Sequence, residues 1–215
     1  MKPLSDFTKR GLVEKLEHYE KQFPGSPGEK YITERGLSSE TARFFRLGWT
    51  GDPLPEDRHL SDRVAIPYLR QVGPTAVRYR AIRENQTPKI QGIAGIPAKQ
   101  LFNAGALWST ETLFICEGEI DAMTVHQMGL PAVGVAGVSN WDKAWFRVFT
   151  NHRCVVLADN DDNGQGQGLA EEIQKTIRDC STLVLPSGHD VNSFYTEVGE
   201  DALGYLIDEH LARFR

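Results

Sequence analysis

Apolar side chains recur through residues 4–22 at the spacing of one helix face, with Leu4, Phe7, Leu12, Leu16 and Tyr19 aligned and Ser5 and Asp6 near the start. Pro24-Gly25-Ser26-Pro27-Gly28 then predicts a firm break. Two short helices are predicted within 29–49, the second following Leu37-Ser38-Ser39-Glu40 with a serine as N-cap. Residues 63–69 and 76–83 read as strands linked by a turn through Gly73-Pro74. From 84 to 104 the chain is rich in Gly, Pro and Gln and lacks periodicity, which predicts loop with short strands.

Beyond Leu107 the pattern becomes an alternation. Short apolar runs at 112–116, 132–135, 154–158 and 182–185 read as strands, and 120–128, 141–149 and 168–178 between them as helices. Uniformly apolar strands alternating with helices indicate a parallel sheet covered on both faces. A last helix at 201–214 carries Leu203, Leu206, Ile207 and Leu211 at helical spacing, and should cover the sheet or the junction between lobes. The fold class expected is α/β, or α+β overall. A mixed basic module over 1–107 precedes a parallel-sheet module over 108–199, and 200–215 packs on the core.

Charge sharpens this division. The net charge of −5 counts weakly against nucleic acid as a partner, but the average hides an asymmetry. Between Arg58 and Lys99 stand eight Lys/Arg against two acids, whereas acids gather at 117–121 and 159–162. One part is suited to phosphates and the other to cations. Cys116, Cys154 and Cys180 are scattered in or beside apolar runs, which favours buried thiols over disulfides or a zinc ribbon. No apolar run approaches the roughly 20 residues of a membrane span, and the polar N-terminus is no secretory signal, so a cytosolic protein is expected.

The acids fall at equivalent places, each after a strand: Glu117 and Asp121, then Asp159, Asp161 and Asp162, then Asp190. Ligands of open α/β sheets bind outside the carboxyl ends of strands, so these groups should converge on one edge. Gathered carboxylates need a cation, and hard oxygen ligands select Mg²⁺ or Mn²⁺. Taken singly, the same residues also suit turns, helix caps and helix N-termini. Together they favour a metal site for phosphoryl or nucleotidyl transfer.

Glu117-Gly118-Glu119-Ile120-Asp121 resembles the E-G-x-x-D segment of Toprim domains, and Asp159-Asn160-Asp161 their D-x-D segment. Upstream, Tyr31-Ile32-Thr33-Glu34-Arg35-Gly36-Leu37, Phe45-Arg46-Leu47-Gly48-Trp49 and Arg63-Val64-Ala65-Ile66-Pro67 are similar to bacterial and phage-type primase catalytic cores, as are Val77-Arg78-Tyr79-Arg80, Pro88-Lys89 and Leu101-Phe102. The resemblance spans about residues 30–195. It implies a DNA-directed RNA primase, a nucleotidyltransferase using two or more Mg²⁺ or Mn²⁺ ions and no zinc. Glu117, Asp159 and Asp161 would be catalytic metal ligands, joined by Asp190, with Asp121 supporting the Glu117 loop. Arg63, Arg78, Arg80, Lys89 and Lys99 would contact the single-stranded DNA template or the ribonucleoside triphosphates. The zinc-binding module of full primases has no counterpart here, so a zinc partner in trans and a replicative helicase are expected.

Two segments depart from the pattern. The usual D-G-D reads Asp159-Asn160-Asp161, and the later D-P-D-D reads Asp190-Val191-Asn192-Ser193, which weakens the third metal position. A Toprim-type nuclease and a non-catalytic adaptor that binds single strands or nucleotides are the alternatives. The nuclease leaves the primase-like residues 30–102 without a role, and the intact acids speak against the adaptor.

Overall fold

The computed structural model describes residues 4–137, 140–160 and 164–214. The chain forms two compact units, Met1–Ala98 and Lys99–Arg215. Residues 99–107 go with the second unit rather than the basic module, because Phe102 bridges to Gly134 and Leu101 enters the second unit's core.

In the first unit, helix α1 (Asp6–Lys21) begins at Ser5, whose side chain accepts from the Thr8 amide. The Pro-Gly segment is a helix start as well as a break. Ser26 caps α2 (Pro27–Glu34), with Pro27 in the first turn, where its missing N–H costs nothing. Ser38 caps α3 (Ser39–Phe44) through the Thr41 amide. The expected helical stretch ends there, since Gly48–Trp49 is strand β1. It opens an antiparallel sheet with β2 (Arg63–Arg70), β3 (Gly73–Ala81) and β4 (Ile90–Gly92), in that order.

Leu12 and Tyr19 of α1 pack on Ala65, Val77 and Tyr79, one face of the sheet. The Lys15 ammonium, buried beneath α1, pairs with Asp57 and Glu56, and the Tyr19 hydroxyl donates to Asp57 at 2.7 Å. A buried carboxylate needs such partners, and together they fix the 54–60 segment against the helix.

The second unit holds a four-stranded parallel sheet of order β6-β5-β7-β8, made from β5 (Leu113–Cys116), β6 (Ala132–Gly134), β7 (Cys154–Ala158) and β8 (Cys180–Val184). Helix α4 (Glu119–Gln127) joins β5 to β6, and α6 (Gln165–Thr176) joins β7 to β8. Between β6 and β7 the expected long helix is a 3₁₀ turn and the single-turn α5 (Phe146–Phe149). Leu113, Ile115, Val156 and Ala158 on one sheet face meet Phe149 and the apolar side of α6. Phe114, Cys116, Val155 and Leu157 alternate to the other face and are equally buried. Helix α7 (Val191–Val198) packs on α4 and on α8 (Glu200–Arg213). Burial on several sides explains why Ile120, Ala122, Met123 and Val125 of α4 show no amphipathic stripe.

The three thiols are unpaired, Cys116 and Cys154 being buried and Cys180 half-buried. Burial pushes all three up, Cys180 to about 12, so none is a ready nucleophile. Among the described residues no helix is long and apolar enough to cross a membrane.

Candidate active site

The parallel sheet starts at its centre. From β5 the chain crosses to β6 on one side, then returns to β7 on the other. The strand order therefore reverses between β5 and β7, the place where open α/β sheets bind ligands. Glu117 leaves the end of β5 and Asp159 the end of β7, and Cys116 pairs in register with Leu157.

Each acid is positioned by its own local structure. The Glu117 carbonyl accepts from the Gly137 amide at 2.9 Å, which ties this turn to the loop after β6. In the first turn of α4, Asp121 Oδ1 accepts from the Asn192 amide at 3.1 Å. Asn192 Nδ2 donates to Thr124 Oγ1 at 2.9 Å, and Thr124 donates to the Ile120 carbonyl, so α7 is fastened to α4 by buried polar bonds. Asp190 caps α7, accepting from the Ser193 amide at 2.6 Å, while the Ser193 hydroxyl donates toward the Asp190 backbone. Asp161 and Asp162 lie outside the described residues.

Asp159 carries the electrostatic signature of the site. Burial first, then the charges of Asp121, Glu117 and Asp190, push its carboxyl up to about 9. Glu117 lies within hydrogen-bonding reach of this carboxyl, while Oδ1 is buried without a hydrogen-bond partner among the described residues. A buried carboxylate oxygen left bare among other carboxylates fits a hard cation, which would satisfy the oxygen and neutralise the cluster. Among the described residues no three His, Cys, Asp or Glu side chains are already closed into a metal-ligating group. Glu117 and Asp159 supply the converging pair.

The basic residues divide into two kinds. Arg63 is 4% exposed, and its guanidinium donates to the Pro88 carbonyl at 2.8 Å and toward the Thr87 carbonyl at 3.4 Å. It braces the loop that carries Lys89 instead of standing on the surface. Arg78 and Arg80 share one face of β3, as strand alternation requires. Arg78 reaches the Tyr68 hydroxyl at 3.4 Å, and Arg80 Nε donates to the Tyr31 hydroxyl at 2.9 Å. Lys89 and Lys99 are exposed, and among the described residues neither ammonium has a partner.

A family model described as Toprim-like matches residues 114–195, the stretch that contains all these acids. Over 147 residues the chain is 36% identical to the gene 57 protein of Mycobacterium phage D29, an alignment covering 65% of this chain and 94% of that protein. The chain belongs to that protein's family. The fold of the chain is that of primase catalytic cores. It superposes on the RNA polymerase domain of the Mycobacterium tuberculosis primase DnaG with a TM-score of 0.74 at 16% identity, covering 95% of this chain and 84% of that one. A DnaG primase catalytic domain bound to single-stranded DNA gives 0.67 at 20% identity, covering 95% and 83%.

Sequence reasoning did not single out Asn160, Asn192 or Thr124, which organise the site without ligating. Asn160 and Asn192 fall where this chain departs from the D-G-D and D-P-D-D patterns, and those departures were the available signal.

Proposed function

We propose that this chain is the catalytic core of a DNA-directed RNA primase, a nucleotidyltransferase that makes short RNA primers on single-stranded DNA during replication. The observation that carries the reading is the buried Oδ1 of Asp159, bare among the described residues, beside Glu117 at the switch point of a sheet with the primase-core fold. A relative of that fold was solved with single-stranded DNA bound, which supports the same class of template here.

Glu117, Asp159 and Asp161 would hold two or more Mg²⁺ or Mn²⁺ ions, with Asp190 at their margin and no zinc. Bound there, the ions supply charge neutralisation for the triphosphate and lower the pKa of the attacking hydroxyl. Glu117 would accept the proton of the primer 3′-hydroxyl. The new bond joins that oxygen to the α-phosphorus of the ribonucleoside triphosphate, and pyrophosphate leaves. Asp121 would support the Glu117 turn from α4, its carboxylate lying against Gly118.

Lys89 and Lys99, exposed and without a partner among the described residues, would contact template or triphosphate phosphates, while Arg63 sets the Lys89 loop. Arg78 and Arg80 add positive charge on the β3 face. The reading places the protein in the cytoplasm of a bacterial host, encoded by a phage. Template selection would draw on a zinc-binding module in trans, with a replicative helicase as partner.

The test is to supply labelled single-stranded DNA with all four ribonucleotides and follow both strands. Template-dependent RNA with intact DNA is the expected result. Cleavage of the DNA without RNA synthesis would make the protein a Toprim nuclease, and neither product would make it a binding protein.

A further inference from the structure

Asn160 stands where the Toprim pattern has glycine, so the residue after Asp159 bears a side chain that the motif does not require. That side chain is engaged at both ends of its amide. Nδ2 donates to the Leu185 carbonyl at 2.8 Å, and Oδ1 accepts from Gln167 Nε2 at 3.0 Å. Its backbone is equally committed, the N–H donating to the His189 carbonyl at 3.0 Å and the carbonyl accepting from the Gly188 amide at 2.8 Å. Four hydrogen bonds from one residue thus join the end of β7, the first turn of α6 and the 185–189 loop that delivers Asp190.

We propose that Asn160 is a positioning residue that clamps Asp159 to the loop carrying Asp190, holding the acidic cluster in an arrangement ready for a divalent cation. The inference rests on the metal reading of the site and adds to it a residue that touches no ligand itself. Its physical basis is the repulsion within the cluster. Buried carboxylates push one another apart when no cation is present, and loops at strand ends yield first. Backbone bonds tie the 185–189 loop only at its two ends, Leu185 to Ala158 and Gly188 and His189 to Asn160, and leave it able to pivot about them. The side-chain bonds to Leu185 and Gln167 resist that pivot from two directions, so the acids are gathered during folding rather than at binding. Glycine at this position would keep the backbone pairing and lose both side-chain bonds.

The experiment is a titration of Mn²⁺ into the full chain, following loss of the free-ion electron paramagnetic resonance signal, with metal-free thermal unfolding measured alongside. Asn160→Ala is expected to weaken Mn²⁺ binding about tenfold, within the range for residues that orient metal ligands. The exposed Gln167→Ala should weaken it by a smaller factor and keeps the test alive if Asn160→Ala does not fold. Both variants binding Mn²⁺ as tightly as wild type, whatever their Tm, would make Asn160 an ordinary loop brace and overturn the proposal. A wild-type protein that binds no Mn²⁺ would instead overturn the metal reading beneath it.

Discussion

A Cβ added to Gly118 would lie 2.5 Å from Oδ2 of Asp121. The two residues flank the first turn of α4, and the carboxylate occupies the space that any other side chain at 118 would take. Asp121 cannot swing aside freely, because Oδ1 holds the Asn192 amide.

Gly118→Ala should therefore force Asp121 off that amide and leave a buried donor unsatisfied, at a cost of about 1–3 kcal/mol. Metal binding should weaken as the Glu117 turn shifts. Urea unfolding and Mn²⁺ titration check both effects. A variant as stable as wild type would mean that Asp121 does not depend on this packing.

Two glycines of α6 should respond in opposite directions. A Cβ on Gly166 would stand 2.6 Å from the Asp159 carbonyl oxygen and 2.9 Å from its nitrogen, both backbone atoms that cannot yield, whereas one on the exposed Gly168 would meet nothing within 4 Å. Gly166→Ala should lower Tm and weaken metal binding together. Gly168→Ala should stabilise by roughly 0.5–1 kcal/mol, through reduced freedom of the unfolded chain and better helix propensity. Thermal unfolding of the pair separates close helix–strand packing from general helix effects.

The raised carboxyl of Asp159 has a consequence for stability. In the fold it titrates at about 9, against about 3.9 in an unfolded chain. Between these values the folded state holds a proton that the unfolded state has released, so this group's contribution falls as pH rises from about 4 to about 9. Asp159→Asn removes the penalty. Its metal-free Tm should exceed that of wild type at pH 8, with the difference shrinking toward pH 5, while its Mn²⁺ binding is lost. A difference independent of pH would show that Asp159 is not the titrating group.

Lys89→Ala in the first unit and Lys99→Ala at the start of the second should each reduce the salt dependence of single-strand binding by about 0.7 in log–log slope, the value for one lost phosphate contact. Arg63→Ala should behave otherwise. It leaves the carbonyls of Thr87 and Pro88 without their donor, so stability should drop by about 2 kcal/mol. Affinity should weaken through the displaced loop, with the slope changed less than by either lysine. Fluorescence anisotropy across a salt series makes the comparison.

Much of this was legible in the sequence because the relevant periods are short. The four parallel strands were readable as apolar runs, and Ser5 and Ser38 were foreseen near helix starts that they cap. Pro27 was read only as a breaker, since a proline that ends one element and a proline that opens the next look alike until the Ser26 cap is seen. Residues 141–149 carry aromatic spacing that fits a helix, yet Trp141 and Phe149 turn into the sheet core and leave only a 3₁₀ turn and one helical turn. For the site, the sequence showed which acids follow which strands. It did not show that Arg63 is buried, because strand alternation assigns a face without saying what covers it. Nor did it show Asn160 and Asn192 at work, since Asn160 reaches Leu185, 25 residues on, and Asn192 reaches back 68 to 71 residues to α4.

The most direct measurement of the central claim is primer synthesis on mixed-sequence single-stranded DNA, with labelled ribonucleotides and Mg²⁺ or Mn²⁺, using wild type, Glu117→Gln and Asp159→Asn. The expected result is short, template-dependent RNA from wild type, lost in both variants although both remain folded. RNA synthesis that survives either substitution, or none from wild type even on a pre-annealed primer, would contradict it.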